Sequence, residues 1–204
     1  IVVGAGISGI AAGYNLKKSC PNKSFSILEG RESIGGTWDL FKYPGIRSDS
    51  DMHTLGFRFK PWIHDKSIAD GPSIMEYLYE TVNEYELENN ILLNHKVDSA
   101  NWNSKNSSWD LRIKVNNEIQ DMTCNFLFLC GGYYSYTKPH SPQFKNQESF
   151  TGQIIHPQFW DESLDYKDKE IAVIGSGATA ITIVPAIAEK AKHVVMVQIS
   201  PTYV

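Results

Sequence analysis

Hydrophobic and polar residues follow two rhythms along this chain, and the order of those rhythms predicts its elements. Residues 1–3 are a short unbroken apolar run, a glycine-rich turn follows, and residues 7–18 carry apolar side chains at helical spacing. A second apolar stretch at 24–28 is closed by Glu29-Gly30, so the opening reads strand, turn, helix, strand, which is a βαβ unit. Residues 31–70 show little periodicity and are rich in Gly, Pro, Asp and aromatics. A loop of that length is functional or disordered, and Trp38, Phe41, Tyr43, Phe57, Phe59 and Trp62 argue against disorder.

From Pro72-Ser73 onward, Ile74, Leu78, Val82 and Tyr85 recur at helical spacing and predict an amphipathic helix over 72–87. A short run at 91–93 comes next, then strand-like segments at 97–102, 109–115 and 119–124. The turn residues 103–108 and Asn116-Asn117 separate these three, which predicts an antiparallel meander. Residues 126–130 are wholly apolar and run into Gly131-Gly132, the signature of a buried parallel strand. A polar, proline-bearing stretch at 138–153 has the composition of a linker. The pattern then restarts with a strand at 170–174, a glycine turn at 175–180, a helix at 178–190 and a strand at 194–199. This second βαβ unit, about 170 residues after the first, is the internal repeat of the chain.

The expected fold class is therefore α/β with two Rossmann-like dinucleotide-binding domains, the first carrying an antiparallel β-meander. Residues 1–140 form the first domain, 141–165 a linker, and 166–204 the start of the second, placed after the first. The chain opens at Ile1 inside one apolar strand and closes just after another, and we expect a segment truncated at both ends.

Composition narrows the partners. The 204 residues are 42% hydrophobic and 21% charged, an ordinary globular mixture. A net charge of -4 without any Lys/Arg run gives no footprint for nucleic acid or an anionic membrane surface. Cys20, Cys124 and Cys130 lack paired or metal-ligand spacing, so neither a disulfide framework nor a metal site is expected, and a reducing, cytoplasmic compartment is. The apolar runs are too short to span a bilayer, while peripheral membrane association of a longer protein stays open.

The candidate chemistry lies in the two turns. Gly4-Ala5-Gly6-Ile7-Ser8-Gly9 fits GxGxxG between strand and helix. Gly4 permits the tight turn, Gly6 lets a pyrophosphate approach the backbone, and Gly9 lets helix and strand pack closely. The helix N-terminus offers free N–H groups to phosphate, and Glu29, 20 residues after Gly9, stands where ribose hydroxyls need an acceptor. Gly175-Ser176-Gly177-Ala178-Thr179-Ala180 is the second turn, GxGxxA. Two such units in one chain are the arrangement of enzymes that pass hydride from a nicotinamide to a flavin.

Two further segments carry a resemblance. Gly35-Gly36-Thr37-Trp38 followed by Tyr43-Pro44-Gly45 and Asp49, and Phe150, Gly152, His156 and Trp160 in the spacing FxGxxxHxxxW, resemble the fingerprints of Baeyer–Villiger monooxygenases, single-component flavoproteins of class B. Residues 43–62 (YPGIRSDSDMHTLGFRFKPW), with 124–130 and 175–180, are similar to the branch containing the ethionamide-activating and long-chain alkane monooxygenases. The resemblance covers essentially the whole chain.

It implies FAD at the first turn, with Gly4, Gly6, Ser8 and Gly9 at the pyrophosphate and Glu29 at the ribose. Gly36, Thr37, Trp38, Asp39 and Leu40 would line the flavin side, and Val97 would meet the adenine through its backbone. Asp49 would lie near the isoalloxazine ring and hold a catalytic arginine expected beyond Val204, which makes Asp49 the catalytic-site residue of this segment. Arg47, Ser48 and Asp49 would face the nicotinamide cofactor, and Gly175, Ser176, Gly177, Ala178, Thr179, Ala180, Ile181 and Thr182 would cradle its pyrophosphate. His156 is implied as a positioning residue in the segment joining the domains.

The chain departs from the family at Gln198-Ile199-Ser200, where Ile199 stands in place of the arginine that pairs with the 2′-phosphate of NADPH. Isoleucine offers neither charge nor donor, so NADPH with NADH as an alternative is the expectation. The activity implied is an oxidoreductase, a monooxygenase that inserts one atom of O₂ through a C4a-peroxyflavin. Its substrate would be a ketone, a thioether or another lipophilic small molecule. The alternatives are a flavin-containing N/S-monooxygenase, a long-chain hydroxylase, or an inactive nucleotide-binding module.

Overall fold

A computed structural model describes residues 1–116, 118–198 and 200. In chain order the main elements are β1 (Val2–Val3), α1 (Ile7–Ser19), β2 (Ile27–Leu28), α2 (Thr37–Leu40), α3 (Met52–Leu55) and α4 (Gly71–Glu84). They continue with β3 (Ile91–Leu92), β4 (His95–Asn103), β5 (Ser108–Val115), β6 (Glu118–Cys124), β7 (Phe128–Leu129), β8 (Glu170–Ile174), α5 (Ala178–Ala188) and β9 (His193–Val197). Two compact units result: Ile1–Asp39, Phe57–Lys60 and Pro72–Tyr133 form the first, and Leu40–Gly56, Pro61–Gly71 and Tyr134–Val204 the second.

The first unit holds a parallel sheet in the order β3-β2-β1-β7, with Val2 paired to Ile27 and Phe128, and a separate antiparallel β4-β5-β6 meander. Ser107 and Asn116 adopt φ of 51° and 47° and close its two hairpins, the left-handed conformation in which asparagine is common. Leu111 and Ile113 of β5 are buried against Leu28 of β2, the inward half of the period-2 alternation.

Helix α4 buries Ile74, Tyr77, Leu78, Thr81 and Val82 and exposes Glu76, Glu80 and Glu84. It ends before the predicted position, in a Schellman closure built without glycine. Glu86 sits at φ 51°, its N–H donates to Asn83 O at 3.0 Å, and Leu87 N–H donates to Val82 O at 2.9 Å. Burial of Leu87 and Val82 supplies the apolar contact of that motif, and Lys17 Nζ caps the carbonyls of Tyr85 and Glu86.

The apolar run at 126–130 corrects one expectation. Only Phe128–Leu129 pair as a strand, at the β1 edge of the sheet, and Phe126 (75%), Phe128 (43%) and Leu129 (77%) are exposed. The buried centre of the sheet is β1 and β2; unbroken hydrophobicity cannot distinguish a central strand from an edge one.

In the second unit β8 and β9 pair in parallel, with Ile171 beside Val194, and α5 connects them. Ile183 and Ile187 of α5 form its core with Phe41 and Tyr43, extended by Ile46, Trp160, Tyr166 and Ile171. The loop expected over 31–70 thus contains two single-turn helices, α2 and α3, and four of its aromatics, Phe41, Tyr43, Phe57 and Trp62, are core residues while Trp38 and Phe59 are half-buried. Among the described residues no helix is long and apolar enough to cross a membrane.

Candidate functional site

Both glycine turns adopt the same backbone. Gly4 has φ +100° and Gly175 +122°, values open to glycine and strained for other residues. Each donates its N–H to the last residue of the following strand, Gly4 to Leu28 O at 2.7 Å and Gly175 to Val197 O at 2.8 Å. Gly6 and Gly177 are the N-caps of α1 and α5, extended at φ -76°, ψ -172° and φ -75°, ψ -177°, and neither helix start has a side-chain cap or an acidic first turn. The leading N–H groups of both helices are left for an anion, as phosphate binding requires.

In the first unit the turn is enclosed tightly. A β-carbon on Gly4 would meet Cys130 O at 2.5 Å, and one on Gly9 would meet Gly4 O at 1.8 Å. A β-carbon on Gly6 would rest 3.6 Å from the Gly36 α-carbon, an ordinary contact that would fill the space above the turn. Gly35 N–H donates to Ala5 O at 3.0 Å, so the Gly35-Gly36 segment lies directly on the turn. Glu29 is buried, and its carboxylate accepts from Ala5 N–H at 2.8 Å and Arg31 N–H at 3.1 Å. A carboxylate has about four acceptor positions, which leaves Glu29 capacity for ribose hydroxyls. A bare glycine cradle, free helix N–H groups and a buried acceptor fit a dinucleotide such as FAD.

Ser8 is exposed on the first turn of α1, and Thr37, Trp38, Asp39 and Leu40 are half-buried on α2. The Asp39 carboxylate pairs with Arg31 Nη2 at 2.6 Å and accepts from Ser33 Oγ. Val97 is half-buried beside the bulge of β4 and packs on the Leu28, Leu111 and Ile113 cluster.

In the second unit the segment after α2 is seated on α5. A β-carbon on Gly45, at φ +77°, would meet Thr182 O at 2.7 Å and the Ala186 β-carbon at 2.8 Å. Tyr43 is buried and hydrogen-bonds the Thr179 side chain. Burial raises its hydroxyl pKa, the Thr179 bond opposes that, and the Asp49 carboxylate adds to it. Asp49 and Arg47 are exposed on either side of buried Ser48, whose Oγ accepts from Ala69 N–H at 3.1 Å.

Thr182 is buried and its hydroxyl donates to Ala178 O at 2.7 Å; Ala180 is buried, Ile181 half-buried and Ala178 exposed. Ser176 Oγ donates to Ser200 O at 3.2 Å. Ile199 lies outside the described residues.

The FxGxxxHxxxW residues belong to the second unit too. His156 caps a single 3₁₀ turn (Pro157–Phe159), its Nδ1 accepting from Gln158 N–H at 3.2 Å. That assigns the proton to Nε2 in neutral His156. Buried Gln158 donates through Nε2 to Ser135 O at 2.6 Å, and Trp160 packs edge-on against Tyr166. A β-carbon on Gly152 would strike the Phe150 ring at 2.4 Å, although that ring is 60% exposed. Sequence reasoning missed Arg31, Gln158 and the Tyr43 hydroxyl. Arg31 two places after Glu29 with an acid eight places on was the one available signal, and both partners of Gln158 and Tyr43 are remote in sequence.

The family model described as "Pyridine nucleotide-disulphide oxidoreductase" matches residues 1–202. The chain is 56% identical over 205 residues to the "FAD-containing monooxygenase EthA" of Mycobacterium tuberculosis, covering 100% of this chain and 42% of that protein. It is 52% identical over 206 residues to the "Probable FAD-binding monooxygenase AlmA" of an Acinetobacter species, covering 100% of this chain and 41% of that one. A solved structure described as "Oxidized steroid monooxygenase bound to NADP" superposes with a TM-score of 0.84 at 28% identity, over 99% of this chain and 39% of the other. The chain thus spans about two fifths of the length of the curated relatives it matches.

Proposed function

Since the chain belongs to the pyridine nucleotide-disulphide oxidoreductase family, we propose that the protein containing it is an FAD- and NAD(P)H-dependent monooxygenase of Baeyer–Villiger type. One observation carries this reading: two glycine turns of matched backbone geometry, each opening an uncapped helix, occur in separate compact units. Bound flavin would supply the redox chemistry between nicotinamide and O₂, leaving the protein to bind and orient the cofactors and exclude water.

Glu29 would fix the ribose, the Gly4–Gly9 backbone and α1 the pyrophosphate, and Gly36 to Leu40 the flavin side. The second turn and α5 would take the nicotinamide pyrophosphate, with Arg47, Ser48 and Asp49 towards the nicotinamide. Asp49 is the residue we assign to catalysis. Its exposed carboxylate would hold a catalytic arginine from the part of the protein beyond this chain. His156 would position its segment through the Gln158 cap. The substrate would be a ketone or thioether, oxygenated to an ester or sulfoxide in the cytoplasm. Both nicotinamides would serve, because Ile199 gives neither charge to a 2′-phosphate nor an acceptor to a 2′-hydroxyl.

The test is an absorbance spectrum of the full-length protein followed by NADPH or NADH addition in air. Flavin bands that bleach and recover, with slow nicotinamide consumption at comparable kcat/KM for both, are expected. A protein that takes up no FAD would overturn the reading, and a strong NADPH preference would overturn the part resting on Ile199.

A further inference from the structure

The Gly35-Gly36 turn is the wall facing the first glycine turn, and its own backbone does not explain why it stays there. Gly35 and Gly36 have successive positive φ values of +109° and +56°, a conformation that costs glycine little but is one of many open to it. Gly35 is pinned by its N–H on Ala5 O. Gly36, whose α-carbon faces Gly6, is held by one side chain: Arg31 Nη1 donates to Gly36 O at 3.2 Å. The same guanidinium pairs through Nη2 with Asp39 Oδ2 at 2.6 Å, beyond the Thr37-Trp38 pair.

Arg31 is itself anchored at the backbone. Its N–H donates to Glu29 Oε1 at 3.1 Å, and its carbonyl accepts from Asn94 N–H at 2.8 Å. Glu29 holds Ala5 with its other oxygen, so one connected set of bonds runs from the glycine turn through Glu29 and Arg31 to Gly36 and Asp39. The guanidinium is half-buried, at 27% exposure, and its charge is matched by Asp39 at 16%. A planar fork with fixed donors can serve a carbonyl and a carboxylate together; an ammonium cannot reproduce that geometry.

We propose that Arg31 is a positioning residue for the dinucleotide: it sets the width of the groove between the Gly4–Gly9 and Gly35-Gly36 turns, acting through Gly36 and Asp39 and not by touching phosphate. This rests on FAD binding in the first unit, as proposed above. A phosphate ligand and a positioning clamp respond oppositely to loss of Asp39. Removing a neutralising carboxylate frees a phosphate-binding arginine to bind more tightly, whereas it slackens a clamp.

The experiment is FAD titration of the full-length apoprotein by flavin fluorescence, comparing wild type with Arg31→Met, Arg31→Lys, Asp39→Asn and Arg31→Met/Asp39→Asn. Arg31→Met and Asp39→Asn should each raise the FAD Kd about tenfold, as loss of a charge-assisted hydrogen bond does. The double variant should be no weaker than Arg31→Met alone, and Arg31→Lys should fail to restore binding. Asp39→Asn with wild-type or tighter affinity, or full rescue by lysine, overturns the clamp. That comparison decides the question even if Arg31→Met does not fold. A wild-type apoprotein that binds no FAD overturns the functional reading and this inference with it, whereas tight wild-type binding with unaffected variants overturns this inference alone.

Discussion

The Gly9 α-carbon is packed so closely on the Gly4 carbonyl that a β-carbon there would lie 1.8 Å from the oxygen. Its counterpart in the second turn is Ala180, which carries a β-carbon and is buried. The two positions therefore tolerate different changes. Gly9→Ala should cost about 3 kcal/mol, since both colliding atoms are backbone and cannot turn aside. Ala180→Gly should cost about 1 kcal/mol through helix propensity. Urea unfolding of the full-length variants measures both, and equal losses would contradict the packing difference.

Gly6 and Gly177 behave otherwise. Their φ values of -76° and -75° suit any residue, and an added β-carbon meets Gly36 at 3.6 Å in one case and nothing within 4 Å in the other. Gly6→Ala and Gly177→Ala should leave stability within about 1 kcal/mol of wild type while occupying the space a pyrophosphate needs. Gly6→Ala should lose FAD at least about tenfold, and Gly177→Ala should raise the nicotinamide KM with flavin content unchanged. Unaltered cofactor binding in either variant would remove that turn from the proposed site.

The buried phenols predict alkaline lability. Burial raises the pKa of Tyr43 and Tyr77 above the ordinary 10.0, and Tyr77 OH accepts from Phe57 N–H at 2.7 Å and donates to Lys60 O. Above pH 10 the unfolded chain binds fewer protons than the folded one, so stability falls as pH rises. The contribution is complete below the unfolded pKa and is lost through the folded values, at up to about 1.4 kcal/mol per pH unit for each tyrosine. Tyr43→Phe and Tyr77→Phe should each flatten the decline between pH 10 and higher values in unfolding titrations.

His156 serves its segment as a cap, so its acceptor atom matters more than its ring. His156→Ala should cost about 1 kcal/mol by leaving Gln158 N–H unsatisfied, and His156→Asn should recover most of it, because asparagine also caps. Thermal unfolding distinguishes these outcomes; an asparagine variant as unstable as the alanine one would assign the role to the imidazole itself.

Much of the scaffold was legible because its signals are local. The two GxGxxG-type turns, the helices after them and the three meander strands all lie within a few residues of where period and turn chemistry put them. The end of α4 was not, since its left-handed closing residue is Glu86, with no glycine to announce it. Nor was the edge position of Phe128–Leu129, which depends on a pairing with Val2-Val3 far away in sequence. At the site, the glycines and Glu29 were legible as types at fixed offsets. Arg31 was not, because its role lies in which carbonyl and carboxylate it reaches.

The chain passes from one unit to the other at Asp39, Gly56, Lys60, Gly71 and Tyr133, and that threading orders events on the ribosome. The first unit has all its strands once Tyr133 has emerged, but Phe41 and Tyr43 must wait for Ile183 and Ile187 of α5, which ends only at Ala188. At ~5–20 residues per second that delay is on the order of seconds, far longer than helix or hairpin formation. Through that interval two large aromatics, Phe41 and Tyr43, stand without the α5 side chains that bury them in the finished chain.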